Sequence, residues 1–272
     1  MVLRGGPSKR RLQTVCRMAG YVGPVIRPAE IVSLPAHSLY LQSYQPKEMQ
    51  SGTVNADGYG AALWLDDGKP EPALYRTAAP IWADPNQAWM NERLRTRALL
   101  AAVRSATPGI GFELHNVQPF ARGRVAFTHN GFVTGFHSGA RRLICDSLGV
   151  AAYESIRGTS DSEHLFALVL DELDKGAELK NAVRAALRRL DGICQRLGRT
   201  AVATLLLSDG EQLLGCRWSR GLPPATLYVA SFAGGMCMAS EPLDERARFR
   251  EVPAQGLALA RPGHDPLLEA LE

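Results

Sequence analysis

Apolar and polar positions fall into two periods along this chain. From residue 178 to 197 apolar side chains recur at Leu179, Val183, Ala186, Leu190, Ile193 and Leu197, with Arg184, Arg188, Arg189 and Arg196 elsewhere. Steps of three and four put one apolar stripe along a helix and leave the arginines on its solvated side, so this segment predicts an amphipathic helix packed on a sheet. Cys194 lies beside the stripe and is expected in the core. Helical character also marks residues 37–44, 86–95, 138–148 and 161–173. Ser160 followed by Glu163 predicts a capping box at the start of the last of these, which is a structural reason for Glu163. Asp161 then occupies the first helical position, where a carboxylate favours the helix dipole.

The shorter apolar runs read as strands. Residues 53–65 predict a Gly-rich turn entering a buried strand, closed by Asp66-Asp67-Gly68, and further strands are expected at 73–79 and 98–103. Residues 124–129 and 132–133 flank Asn130-Gly131, which predicts a hairpin turn. Strands at 200–207, 213–218, 226–230, 236–240 and 256–260 follow, the last two closing the set, with turns at Asp209-Gly210 and Pro223-Pro224. Strands, then helices, then strands again predict an α+β layered fold with antiparallel sheets.

Residues 1–15 break both periods. They carry Arg4, Lys9, Arg10 and Arg11 among Gly5, Gly6 and Pro7, and are expected to be a disordered extension absent from the mature chain, residues 16–272 forming one domain. Cys16 follows at once, opening an apolar run that reaches Gly23. If the working chain begins there, thiol and α-amine share one residue. The amine, with an ordinary pKa near 8, can take the thiol proton directly or through one water. Nothing can then precede Cys16. Val15 suggests a route, because a GTG start codon at that position yields Met-Cys and then, after Met removal, Cys; cleavage of a propeptide is the other.

Charge narrows the partners. The 272 residues hold 31 basic and 27 acidic side chains. The four basic residues of the first fifteen supply the whole excess of +4. The neutral remainder makes no electrostatic case for nucleic acid or a membrane surface. Five cysteines, Cys16, Cys145, Cys194, Cys216 and Cys237, form no CxxC pair, which argues against a disulfide framework and a zinc site and fits a reducing cytosol. With no apolar run of ~20 residues and no signal-peptide core, a soluble cytoplasmic protein is expected.

Three positions have both a structural and a chemical reading. Arg104 ends the apolar run 98–103: it is a solvated strand-end charge or ion-pair member, or a planar fork for a substrate carboxylate. Besides making a turn, Asn130 and Gly131 can aim an amide and a backbone N–H at one developing negative charge. Asp161, beyond its helix-dipole position, can bind a substrate ammonium. Gly52, Gly58 and Gly60 match no phosphate-cradling spacing and suggest backbone close to a ligand or a strand.

Cys16 at a strand start, Arg104-Ser105-Ala106-Thr107, His129-Asn130-Gly131, Thr159-Ser160-Asp161-Ser162-Glu163 and Ala239-Ser240-Glu241-Pro242-Leu243 occur in the order seen in class II glutamine amidotransferase domains. Over about residues 16–261 the chain resembles that family of N-terminal nucleophile (Ntn) hydrolases. His37-Ser38-Leu39-Tyr40-Leu41-Gln42-Ser43-Tyr44, Gly52-Thr53-Val54-Asn55-Ala56-Asp57-Gly58-Tyr59-Gly60 and Ser240-Glu241-Pro242-Leu243-Asp244 resemble its branch of stand-alone γ-glutamyl hercynylcysteine sulfoxide hydrolases of bacterial ergothioneine biosynthesis.

The resemblance implies a four-layer αββα sandwich, no cofactor and no metal. It implies that Cys16 is nucleophile and, through its amine, base; that Arg104 holds the α-carboxylate and Asp161 the α-ammonium of a small γ-glutamyl substrate; and that Asn130 and Gly131 form the oxyanion hole. The implied reaction cleaves the γ-glutamyl amide to glutamate and hercynylcysteine sulfoxide through a thioester. Two alternatives stand beside it: hydrolysis of glutamine or another γ-glutamyl amide, and, if residues 1–15 are retained, a non-catalytic γ-glutamyl-binding or interaction domain. One departure is Gln118, where many related amidotransferases carry His before Pro-Phe; His115 is nearby.

Overall fold

Strands buried on both faces are the signature of this chain, and they require cover on both sides of each sheet. The computed structural model describes residues 16–48, 54–105 and 113–271. In chain order the strands are β1 (Arg17–Ile26), β2 (Tyr59–Leu65), β3 (Ala73–Thr77), β4 (Thr96–Val103), β5 (Phe120–Arg122), β6 (Val125–Val133), β7 (Ala201–Ser208), β8 (Leu213–Arg220), β9 (Tyr228–Phe232), β10 (Gly235–Ala239), β11 (Arg250–Glu251), β12 (Gly256–Ala260) and β13 (Leu267–Ala270). The helices are α1 (Ala29–Val32), α2 (Leu39–Gln42), α3 (Gln87–Arg93), α4 (Arg141–Ser147), α5 (Val150–Glu154), α6 (Asp161–Asp174) and α7 (Leu179–Leu197). Two antiparallel sheets result, one ordered β11-β9-β10-β1-β4-β2-β3 and the other β13-β12-β8-β7-β6-β5.

Three apolar clusters turn these sheets into four layers. Met18, Leu100, Leu206 and Met238 meet between the sheets. Leu165, Val169, Val183 and Leu190 of α6 and α7 cover the outer face of the six-stranded sheet through Leu205 and Leu214. Ile31, Val32 and Leu39 of α1 and α2 cover the seven-stranded sheet through Tyr21, Leu99 and Ala101. The αββα sandwich expected from the resemblance is the architecture found.

Three local expectations are corrected. Asn130-Gly131 is not a hairpin turn: it lies inside β6, which runs unbroken to Val133 with Asn130 opposite Thr204 and Gly131 opposite Ala203. Gly131 is needed there for close approach, since a Cβ would come 1.9 Å from the Val202 carbonyl oxygen. The capping box is half formed. Ser160 Oγ accepts from the Glu163 N–H (3.2 Å), but the Glu163 carboxylate accepts from the N–H groups of Arg157 (2.9 Å) and Gly158 (2.6 Å) in the turn before the helix. The strands also do not close at residues 236–240 and 256–260, because β13 follows as a partly exposed edge whose Glu269 is held by Lys180 (3.0 Å) and Arg184 (2.7 Å) of α7. The extension of residues 1–15, Gly52, Thr53 and the turn at 106–109 lie outside the described residues.

Candidate active site

β1 is the middle strand of its sheet. Its first residue, Arg17, lies opposite Val103 of β4, so one step beyond the ladder Cys16 faces Arg104. The loop entering β2 brackets that arginine: the Arg104 N–H donates to the Gly58 carbonyl and the Arg104 carbonyl accepts from the Asp57 N–H, both at 2.9 Å. Arg104 is buried at the strand end. The half-buried Cys16 thiol lies 3.9 Å from the Ser105 carbonyl oxygen, within reach of a weak S–H donor.

The second sheet reaches the same end of the sandwich. Thr128 Oγ1 donates to Met18 Sδ across the seam (3.3 Å). Side chains two apart on a strand share a face, so Cys16 shares the seam face with Met18, and Asn130 shares it with Thr128. The start of α6 is tied on by Asp161, whose Oδ2 accepts from the Val133 N–H (2.8 Å) at the end of β6 and whose Oδ1 accepts from the Ser162 N–H (2.8 Å). Asp161 is close enough that its charge acts on the Cys16 thiol. The structure therefore brings Cys16, Arg104 and Asp161 together electrostatically.

Asn130 is fully buried, and among the described residues neither its Nδ2 nor its Oδ1 has a partner. Leaving such a group unpaired costs about 1–3 kcal/mol, so a buried amide with both ends idle calls for an explanation. Its neighbours are pinned. Gln118 Oε1 accepts from the His129 N–H and Gln118 Nε2 donates to the His129 carbonyl (2.9 Å), as a neighbouring strand would. The His129 ring sits between Ser162 Oγ (2.9 Å from Nδ1) and the Val202 carbonyl (3.1 Å from Nε2), and burial pulls its pKa below the ordinary value. The neutral ring donates from Nε2 to Val202.

This clamp also orients Gly131. In a strand the N–H and C=O of one residue point to the same edge, and residues two apart share that edge. His129 faces Gln118 and Val133 faces Asp161, so the Gly131 N–H points to the edge of β6 between them, beyond the reach of the short β5. Gln118, where a histidine was noted as missing, is thus a backbone clamp; His115 is exposed on the turn Leu114–Asn116.

Electrostatics keep the nucleophile candidate neutral. Burial pushes the Cys16 thiol above its ordinary value, and Asp161 adds to this; Arg104 and Arg17 pull the other way without reversing it. A thiol in that state needs a base at the moment of attack. Among the described residues no group of His, Cys, Asp or Glu converges to hold a metal ion, and no helix is long and apolar enough to cross a membrane.

Sequence reasoning missed the cluster behind Cys16. Glu241 is fully buried, and its carboxylate accepts from Arg17 Nε (2.8 Å), His37 Nε2 (2.6 Å) and the N–H groups of Lys47 (2.8 Å) and Glu48 (3.0 Å). These donors hold it ionised, with a pKa lowered to about 2 against the opposing effect of burial. The available signal was a carboxylate inside the apolar stretch 239–243 and an arginine directly after Cys16; no spacing rule links positions so far apart.

A family model described as class II glutamine amidotransferases matches residues 33–223. The chain is 31% identical over 250 residues to the γ-glutamyl-hercynylcysteine sulfoxide hydrolase of Mycolicibacterium smegmatis, covering 92% of this chain and 97% of that one. It superposes with TM-score 0.68 on a glutamine aminotransferase class-II domain protein from Silicibacter pomeroyi, at 25% identity, with 94% and 100% of the two chains covered. It also resembles the glutamine phosphoribosylpyrophosphate amidotransferase of B. subtilis in fold, with TM-score 0.63 at 17% identity, covering 94% of this chain and 49% of that one.

Proposed function

The chain belongs to the class II glutamine amidotransferase family, and we propose that it is a hydrolase releasing glutamate from γ-glutamyl hercynylcysteine sulfoxide, a step of ergothioneine biosynthesis. The observation that carries the catalytic reading is the buried, unpartnered Asn130 amide beside a strand edge that presents the Gly131 N–H. The choice of leaving group is supported by the similarity to mycobacterial hydrolases over nearly their whole length.

In this reading the working chain begins at Cys16. Its free α-amine accepts the thiol proton, and Sγ attacks the γ-carbonyl carbon of the substrate. The carbonyl oxygen becomes an oxyanion that takes hydrogen bonds from Asn130 Nδ2 and the Gly131 N–H. As the intermediate collapses, the C–N bond breaks, the α-ammonium returns its proton to the leaving nitrogen, and a thioester remains. Water, deprotonated by the same amine, attacks the thioester carbon and releases glutamate and the thiol. Arg104 receives the α-carboxylate of the glutamyl group as a planar fork, and Asp161 receives its α-ammonium.

The test is glutamate release by the protein purified from its own host, after intact-mass analysis, with γ-glutamyl hercynylcysteine sulfoxide and glutamine side by side. The reading expects a first residue of Cys16, a preference for the sulfoxide and no release by Cys16→Ala. Faster release from glutamine makes the protein a glutaminase. A chain that retains residues 1–15 and releases nothing is a binding domain.

A further inference from the structure

Glu241 and Arg17 form a buried ion pair in a place where stability alone does not call for one. Arg17 is 1% exposed and Glu241 is 0% exposed. Taking both charges out of water is costly enough that apolar residues of similar volume generally stabilise a fold as well or better. The pair is elaborate all the same. Glu241 gathers donors from three separate segments: the start of β1, the turn holding His37, and the backbone at Lys47 and Glu48. Ser240 beside it reinforces the grip, with its Oγ accepting from the Met18 N–H (3.1 Å) and its N–H donating to the Met18 carbonyl (2.9 Å).

What the pair holds is Cys16. Arg17 Nε is spent on Glu241, and Nη1 donates to the Cys16 carbonyl (2.9 Å), while Nη2 is buried with no partner among the described residues. Cys16 lies one residue before the β1 ladder begins. In a chain that starts at Cys16, the carbonyl is that residue's sole peptide tether, since no amide plane precedes it. Rotation about that tether swings the amine and the thiol together, so misplacing the carbonyl misplaces nucleophile and base at once.

We propose that Arg17, fixed by Glu241 and His37, is a positioning residue that sets Cys16 for attack by gripping its carbonyl. The inference rests on the reading of Cys16 as nucleophile and adds to it a device outside the glutamyl pocket. The guanidinium also acts on the thiol, as does Arg104, with Asp161 opposing both.

The experiment measures two quantities on the protein purified from its own host, its first residue fixed by intact mass: iodoacetamide alkylation of the peptide carrying Cys16 from neutral to alkaline pH, and kcat and KM for glutamate release, each with a melting temperature. Arg17→Met is expected to move the alkylation midpoint up by about one pH unit, through loss of a nearby positive charge. Its kcat is expected to fall roughly 100-fold, the scale of a small misplacement of reacting groups, with KM within about twofold. Arg17→Lys keeps the charge but cannot reach both Cys16 and Glu241; it is expected to keep the alkylation midpoint and still lose kcat. A folded Arg17→Met protein with unchanged kcat overturns the proposal, whatever its alkylation midpoint. If that variant does not fold, unchanged kcat in Arg17→Lys overturns it. Should the wild-type protein release no glutamate from either substrate, the hydrolase reading fails and takes the positioning role with it; release that Arg17→Met leaves undiminished overturns the positioning role alone.

Discussion

Asn130 and Glu241 are both polar, both fully buried and both close to the start of β1, yet the fold treats them in opposite ways. Among the described residues the Glu241 carboxylate takes four hydrogen bonds and the Asn130 amide takes none. A satisfied buried charge stiffens what surrounds it, whereas an unsatisfied buried amide is a cost the folded state carries until something binds. What sets Asn130 apart is that donor and acceptor of one side chain are both idle, whereas Glu241 is held from three segments.

The largest expected effect breaks the scaffold side. Glu241→Ala strands Arg17 without its counter-charge and should cost about 3–5 kcal/mol in urea unfolding. Next comes the other side: Asn130→Ala should raise the barrier to turnover by roughly 3 kcal/mol, a fall in kcat of about 10²–10³, with the melting temperature kept. Unchanged turnover removes Asn130 from the site. Comparable in size is an effect of pH. Glu241 has its pKa lowered from 4.5 to about 2 in the folded state, so its contribution is complete above the ordinary value and is lost as pH falls through that window. Linkage puts it on the order of 3 kcal/mol, and the difference between unfolding curves of wild type and Glu241→Gln should shrink toward acid pH. A difference that stays constant from neutral to acid pH means that the carboxylate is not preferentially ionised in the fold. The smallest effect is the sharpest: Asn130→Leu removes two orphan polar atoms at similar volume and should stabilise the fold by about 1–2 kcal/mol while abolishing turnover. A loss of stability in that variant means that the amide has a structural partner, and the contrast with Glu241 disappears.

The two residues also differ in how far they could be read from sequence. Asn130 was legible as an oxyanion candidate but misread as a turn, because Asn-Gly is the strongest local hairpin signal and locally nothing outweighs it. Gln118 outweighs it from outside by supplying the backbone partners of His129, so that β6 continues through the pair. Gly131 then serves close packing on Val202 rather than a positive φ. Glu163 was legible as a helix-start residue, yet its carboxylate went to Arg157 and Gly158, whose N–H groups the preceding turn leaves within reach. Glu241 was legible only as part of a motif. Its partners are Arg17, His37 and a loop at Lys47, and a carboxylate announces no partner that lies across the fold.

By itself the sequence determined the periods, and with them most strands and helices, the layered class, and the order of Cys16, Arg104, Asn130-Gly131 and Asp161 along the chain. Those are local properties: side-chain spacing and turn chemistry act over a few residues. Tertiary structure alone decided that Cys16 faces Arg104 at the end of a central strand, that the Gly131 N–H points to the edge of β6 between Gln118 and Asp161, and that Arg17 reaches Glu241. Each of these depends on register and on which buried polar groups find partners, and both are settled only when distant segments pack and exclude water.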